Sequence, residues 1–244
     1  MLEVVRGPAA TPLNTSHLWS LCIEEQFYLL WPMVVLFASR RRLPQVAGWT
    51  IAAGVPLRFL LAREAGPIAA YVLTPGRLDG LMVGGIIAVA AREAGGLEGW
   101  RDAAARVLPA GLVALIGLGA WRGMSYEDGV VAVLGFPLLA LVYGAALVLA
   151  LTSDGPWTRA LRSPSLRAWG KYSYGLYVLH YPLLWALDDK VGRRLASPRL
   201  VVAGSHLPSI LLRGAIGVPL AFGLAWLSYH LYERRFLELK RHFT

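Results

Sequence analysis

The chain has 244 residues, of which 56% are hydrophobic and only 16% charged, and its mean hydropathy is +0.51. That balance excludes an ordinary soluble domain and predicts an all-α, polytopic membrane helix bundle. A formal net charge of +9 does not point to nucleic acid, because no basic run carries the interleaved aromatics or the motif of a nucleic-acid module. Lys and Arg concentrated in inner loops account for it better. The single cysteine, Cys22, excludes an internal disulfide and reads as a small buried thiol inside a helix.

Residues 1–16 are polar, contain Pro8 and Pro12 and lack the apolar length of a cleavable signal peptide, so they read as an extracytoplasmic tail. The bundle is expected over residues 17–231 and a basic, amphipathic cytoplasmic tail over 232–244. The first span, residues 18–37, is long enough to cross roughly 30 Å of hydrocarbon, yet it contains Glu24, Glu25 and Gln26. An ionised carboxylate at mid-bilayer costs about 2.5 to 3.5 kcal/mol on insertion scales, so such acids need a partner, a wet cavity or a task. At about 100° per residue, Ser20, Glu24, Tyr28 and Trp31 share a face. Ser20, Glu24 and Tyr28 are therefore expected to face the bundle interior, with Glu25 and Gln26 near the wet end or on a neighbouring helix. Pro32 leaves the carbonyl of Tyr28 without its usual donor.

Arg40, Arg41 and Arg42 end this span and place it with residue 1 outside. The second span is 44–61, with Arg58 near its outer end and free to snorkel. The third is 74–91. Thr74 as N-cap and Pro75 at the first helical position start it, and Gly80, Gly84 and Ala88 form a small-residue stripe that admits a close neighbour. Arg77 and Asp79 fall at its mouth, where the plainer reading is an interfacial charge pair that anchors the helix end. Residues 92–106 read as a charged inner loop or an interfacial helix with Trp100 at headgroup level, and 107–121 and 130–151 as the fourth and fifth spans, joined outside by 122–129. Residues 153–171 return inside with Arg159, Arg162, Arg167 and Lys171. The sixth span, 172–187, carries His180 with Tyr177 and Ser173 on its face, and Pro182 frees the carbonyl of Val178. A lone membrane histidine is often only a satisfied packing residue, but here tyrosines, a serine and a proline surround it. Residues 188–208 read as an outer segment and 209–231 as the seventh span, so the chain ends in the cytoplasm.

Three tracts together carry a resemblance. Trp19-Ser20-Leu21, Glu24-Glu25-Gln26-Phe27-Tyr28-Leu29 and Pro32 resemble the "WSLxxEEQFYLxxP" signature of the membrane acyltransferase 3 family. Residues 74–84 resemble its "RLDGLxxG" segment, and 172–182 its "SYxLYLxHxP" segment. Glu233-Arg234-Arg235-Phe236 resembles its closing "ERPF", with Arg235 in place of proline. The four tracts occur in the family's order and cover nearly all of the chain. The resemblance implies a multi-pass enzyme of a bacterial cytoplasmic (inner) membrane that moves an acyl group, commonly acetyl, from acyl-CoA to a hydroxyl of a cell-envelope glycan or lipid-linked sugar. It implies no bound cofactor and no metal. It also implies about three further helices at the amino-terminal side, with a histidine thought to be catalytic, an "RxxR" pair and an "FFxxSG" stretch. None of these occurs here, and His17 belongs to the pre-helix position of the first tract. The chain thus resembles the carboxy-terminal two-thirds of such an enzyme, which would need the missing helix set as a partner.

Acyl transfer to a hydroxyl requires a base, stabilisation of a tetrahedral oxyanion and a seat for an anionic donor. Glu24 and His180 are the candidate catalytic groups, His having an ordinary pKa of about 6.5. Ser20, Tyr28, Arg77, Asp79 and Tyr177 are the candidate substrate-binding residues, with Asp79 expected to fix Arg77 while Arg77 holds an anion. The competing class is a transporter or flippase for a glycan or lipid-linked substrate, which also uses proline-broken helices and intramembrane charge. The chain shows no convincing internal repeat of the kind carriers commonly have. A third class, a structural membrane subunit, predicts no polar cluster where spans one, three and six meet.

Overall fold

The computed structural model describes residues 16–187 and 207–239. Among the described residues every regular element is helical, as the composition requires. Five helical stretches are long and apolar enough to cross a membrane: Trp19–Phe37, Leu43–Ala65, Glu98–Arg122, Val131–Thr152 and Ile210–Leu239. They make the chain a multi-pass membrane protein. Two of the seven expected crossings are not among them. The helix of the third is only 13 residues, Leu78–Ala90, or about 20 Å at 1.5 Å per residue. The sixth lies in a 24-residue helix, Pro164–Leu187, whose apolar character is diluted by Arg167, Lys171 and the tyrosines. The outer segment at 188–206 and the tail end at 240–244 lie outside the described residues.

The described residues divide into two compact units, 19–159 and a second made of 16–18 with 160–187 and 207–239. The first unit contains α1 (Trp19–Phe37), α2 (Leu43–Ala65), α3 (Pro67–Val72), α4 (Leu78–Ala90), α5 (Arg101–Arg122), α6 (Phe136–Thr152) and most of α7 (Pro156–Leu161). Pro67 follows Gly66, whose φ of 87° breaks α2 from α3. A π-helical turn, Val131–Gly135, leads into α6.

Two apolar clusters hold this unit together. Phe27 of α1, Ala47 of α2 and Met82 of α4 form one; Ile87, Ala90, Leu97, Ala104, Ala145 and Val148 form the other. Packing between α4, α5 and α6 is backbone-close where glycine permits it. A Cβ on Gly144 would meet Val83 at 2.6 Å, and one on Gly111 would meet Val142 at 2.6 Å, the small-residue logic of helix association in lipid. The expected stripe on α4 works differently. Gly84 has nothing within 4 Å and Gly80 only Ala140 at 3.8 Å, because that face opens onto a cavity.

Three local expectations are corrected. Thr74 does not cap α4. A single 3-10 turn, Thr74–Gly76, comes first, and α4 begins at Leu78; the Thr74 hydroxyl instead donates to Oε1 of Gln26 at 2.6 Å. The inner loop read over 92–106 is shorter, since α5 already begins at Arg101. The return segment 153–171 likewise folds into α7 and the start of the next helix.

The second unit contains α8 (Pro164–Leu187), α9 (Leu207–Ser228), a π-helical turn at Tyr229–Glu233 and α10 (Arg234–Leu239), with His17 and Leu18 beside them. The helices α8 and α9 meet through aromatic rings: Phe222 packs on Trp169 at 4.8 Å and on Tyr172 at 5.5 Å. At Gly175 the backbones approach closely, since a Cβ there would lie 3.3 Å from the Ala225 Cα.

Candidate functional site

Burial on α1 falls on Ile23 and Phe27, one position before the polar residues expected to face inward. The interface with α2 and α4 is apolar, so it selects the neighbouring stripe. Ser20 and Glu24 flank that stripe and line a cavity of about 400 Å³ with Arg58, Arg77 and Asp79. Glu24 itself is exposed on the described chain. Tyr28 is 58% exposed and does not line this cavity. Cys22, expected to be buried, is also exposed.

The charged residues around the cavity are arranged in a way the sequence reading missed. Arg58 does not snorkel; it is 1% exposed. Its Nη1 and Nη2 donate to Oδ2 and Oδ1 of Asp79 at 2.8 and 2.5 Å, a bidentate geometry that matches the guanidinium fork. Oδ1 of Asp79 also accepts the backbone N–H of Gly80 at 2.7 Å. Gly54 makes the pairing sterically feasible, because a Cβ there would lie 2.7 Å from the Asp79 Cβ. Asp79 is therefore spent on Arg58 and does not fix Arg77.

Aromatic rings hold Arg77 instead. Its guanidinium carbon lies 4.5 Å from the Phe136 ring centroid, 5.6 Å from Tyr71 and 5.9 Å from Trp19. Arg58 reaches the same Phe136 ring at 5.7 Å, so two guanidiniums share one ring and only one has a carboxylate. Among the described residues Arg77 makes no ion pair. The rings around it also contact one another: Tyr71 packs on Trp19 at 4.6 Å, Tyr126 at 4.9 Å and Phe136 at 5.1 Å. Such cation–π contacts hold a cation sideways while leaving its hydrogen-bonding edge available. Arg58, Trp19, Tyr71 and Phe136 were not anticipated at the site. Two opposite charges in adjacent spans, each costly alone in lipid, were the signal for the Arg58 pairing.

In the second unit, the carbonyl that Pro182 frees on Val178 is used. His17 Nε2 lies 3.3 Å from Val178 O, and the Tyr177 hydroxyl donates to the His17 carbonyl at 2.5 Å. His17 stacks on Tyr181 at 5.0 Å and meets His180 edge-on at 5.4 Å. Burial pushes the His17 imidazole below its ordinary pKa, and its Nδ1 is buried with no hydrogen-bond partner among the described residues. His180 Nδ1 lies 2.6 Å from the Tyr177 carbonyl and 3.2 Å from that of Leu176. That fixes Nδ1 as the protonated nitrogen and leaves Nε2 as the basic one. His180 lines a second cavity, of about 450 Å³, between α8 and α9. Thus Ser20, Glu24, Arg77 and Asp79 share one cavity in the first unit, while Tyr177 and His180 belong to the second unit. No group of three or more His, Cys, Asp or Glu able to hold a metal occurs among the described residues.

A multi-pass helix bundle with an acid, a caged arginine and a buried ion pair around a cavity defines a membrane protein with a charged candidate binding cavity. Residues 3–230 match the family described as "Acyltransferase domain", and the chain belongs to that family. It is 26% identical over 195 residues to the O-acetyltransferase OatA of Staphylococcus aureus (strain NCTC 8325 / PS 47), covering 72% of this chain and 30% of the relative. It is 26% identical over 244 residues to the putative peptidoglycan O-acetyltransferase YrhL of Bacillus subtilis (strain 168), covering 92% and 35%. It is 24% identical over 239 residues to the peptidoglycan O-acetyltransferase OatA of Listeria monocytogenes, covering 91% and 35%. The chain spans about a third of the length of these curated relatives. No solved structure matches it.

Proposed function

We propose that this chain carries the cavity of a membrane O-acyltransferase, moving an acetyl or similar acyl group from acyl-CoA to a hydroxyl of a cell-envelope glycan, peptidoglycan being the acceptor named for the relatives. The observation that carries the reading is Arg77, caged by Trp19, Tyr71 and Phe136, without an ion-pair partner among the described residues, on a cavity that also holds Glu24. A purely structural arginine would be neutralised by the nearby carboxylate of Asp79; here that carboxylate is taken by Arg58. Arg77 thus offers a fixed donor array to an anionic phosphate of the donor or to the oxyanion that develops on its carbonyl.

In the proposed step the acceptor hydroxyl oxygen bonds to the thioester carbonyl carbon while its proton passes to a base. The tetrahedral intermediate then collapses, the C–S bond breaks, and the thiolate leaves and is protonated. Glu24 in the first cavity and His180 Nε2 in the second unit are the base candidates, and Ser20 and Tyr177 are the neighbouring hydroxyls that could orient a sugar. A positioned base contributes about 10² to 10⁴ in rate. The carrier of the proton is decided by measuring acetyl incorporation into glycan with the chain co-produced with the amino-terminal helices of a complete relative. Glu24→Gln, His180→Ala and the double variant are compared. If both groups serve one transfer, the double variant loses no more than the worse single one. Wild-type rates in both single variants would remove the proposal.

A further inference from the structure

The first cavity reaches further than the charged groups that identify it. Glu24, Arg58 and Arg77 stand at one end, near the start of α4, where Arg58 Nε is buried without a hydrogen-bond partner among the described residues. From Gly80 the lining continues along α4 to Ile87, about 10 Å beyond the charges at 1.5 Å per residue. This arm is apolar. Val83, Gly84 and Ile87 line it from α4, and Leu139, Gly144 and Leu147 from α6. Its only polar side chain among the described lining residues is Tyr143, which is 70% exposed. A missing side chain keeps the arm open, since nothing stands within 4 Å of a Cβ at Gly84.

We propose that this arm receives the hydrocarbon chain of the acyl group, so that the site prefers donors longer than acetyl. An extended chain advances about 1.25 Å per carbon, from bonds of about 1.5 Å at near-tetrahedral angles, so about eight carbons fill the arm. The inference rests on the acyltransferase reading, and the bond changes are those of the step given above with a longer chain on the same carbonyl. With that carbonyl held at Arg77, the arm can take the acyl chain, the pantetheine of the donor or the acceptor sugar. Pantetheine brings two amides and a sugar several hydroxyls. In the arm they would meet one phenol, and a buried polar group without a partner is costly. Hydrocarbon needs no partner. A bilayer tail gains almost nothing by entering, since it leaves one hydrocarbon medium for another. A donor arriving from water gains about fourfold in affinity per methylene buried. Acetyl ends one methyl beyond its carbonyl and leaves the arm unfilled.

The test uses the full chain, co-produced with the amino-terminal helices of a complete relative and held in phosphatidylcholine nanodiscs. Its ligands are oxoalkyl-CoA analogues from acetyl to octanoyl length, which keep the carbonyl but lack the thioester. Affinity is measured by isothermal titration calorimetry, with the heats of empty nanodiscs subtracted. The octanoyl-length analogue should bind at least about tenfold more tightly than the acetyl-length one, a small part of what full transfer from water would give. In Gly84→Leu, which fills the arm from an open position, that preference should disappear, and kcat/KM for octanoyl-CoA relative to acetyl-CoA should fall with it. Ala140→Leu fills the cavity from α6 should Gly84→Leu lose helix content. Equal affinity at every length, or an unchanged preference in a folded plugged variant, would overturn the proposal. An equal loss of free CoA binding in Gly84→Leu would also overturn it, by giving the arm to pantetheine. Acetyl transfer with length-independent affinity overturns the arm alone. Absence of both binding and transfer for every donor removes the acyltransferase reading along with it.

Discussion

Arg58 holds both carboxylate oxygens of Asp79, at 2.8 and 2.5 Å, across the contact between α2 and α4. Both side chains are almost wholly buried, at 1% and 3% exposure. Removing one partner of such a pair strands a charge and costs about 3 to 5 kcal/mol. Asp79→Asn and Arg58→Gln should each lower the thermal midpoint of the detergent-solubilised protein steeply. The Arg58→Met/Asp79→Leu double variant should recover most of the loss. A double variant as unstable as the singles would mean the ion pair is not the unit of stabilisation.

Arg77 should behave differently. Arg77→Lys keeps a charge but loses the planar group that lies over Phe136, Tyr71 and Trp19, along with the forked donors. Charge-assisted hydrogen bonds contribute about 1.5 to 3 kcal/mol, so kcat/KM for acyl donor should fall about 10- to 100-fold while melting temperature barely moves. Kinetics in the co-produced system, set beside a thermal melt, separate the two effects. Loss of stability without loss of kcat/KM would make Arg77 a structural residue.

The expected orientation, with basic loops on the cytoplasmic side, is open to a direct test. A cysteine placed in 122–129 of a Cys22-free protein should react with a membrane-impermeant thiol reagent applied to intact cells. One placed in 153–163 should react only after lysis. The reverse pattern would invert the topology.

The loop between α5 and α6 carries a local acid response. Oδ1 of Asp128 accepts the backbone N–H groups of Val131 and Val130 at 3.1 and 2.9 Å, and Oδ2 pairs with Arg122 at 2.7 Å. These contacts, the Val131 N–H first, hold its carboxyl below the ordinary carboxylate range. A depressed folded pKa adds stability that is present above the unfolded value and lost as pH falls through the folded one. Asp128→Ala should therefore be less stable than wild type at pH 7, and the two should converge as the pH is lowered through and below the usual carboxylate range. Melting curves across that range, at low ionic strength, provide the measurement; parallel curves would refute the assignment.

Fold class was legible because about twenty apolar residues in a row have few alternatives. The placement of Arg58 was not. Its position near a span end made snorkelling the cheaper reading, and only the register of α2 against α4, set by Gly54, shows that Asp79 lies within reach. The face of α1 was likewise misjudged by one position: the helix wheel put Ser20, Glu24 and Tyr28 inward together, but the partner surface was apolar and took Ile23 and Phe27, and of the three only Ser20 and Glu24 reach the cavity. The role of Pro182 was read from the chain alone, since a proline always withholds one donor. Its recipient was not, because His17 is 161 residues away.

That separation has a bearing on biogenesis. The His17 ring leaves the ribosome first, and the Val178 carbonyl that receives it does not exist until those residues have been made. At about 5 to 20 residues per second, the interval is on the order of 10 to 30 s. During it, the imidazole and its neighbouring backbone must be satisfied by water, head groups or the translocation machinery. The second unit thus cannot close in the order in which it is synthesised. His17 waits for Val178, and a ribosome stalled before α8 would leave the His17 ring without that carbonyl.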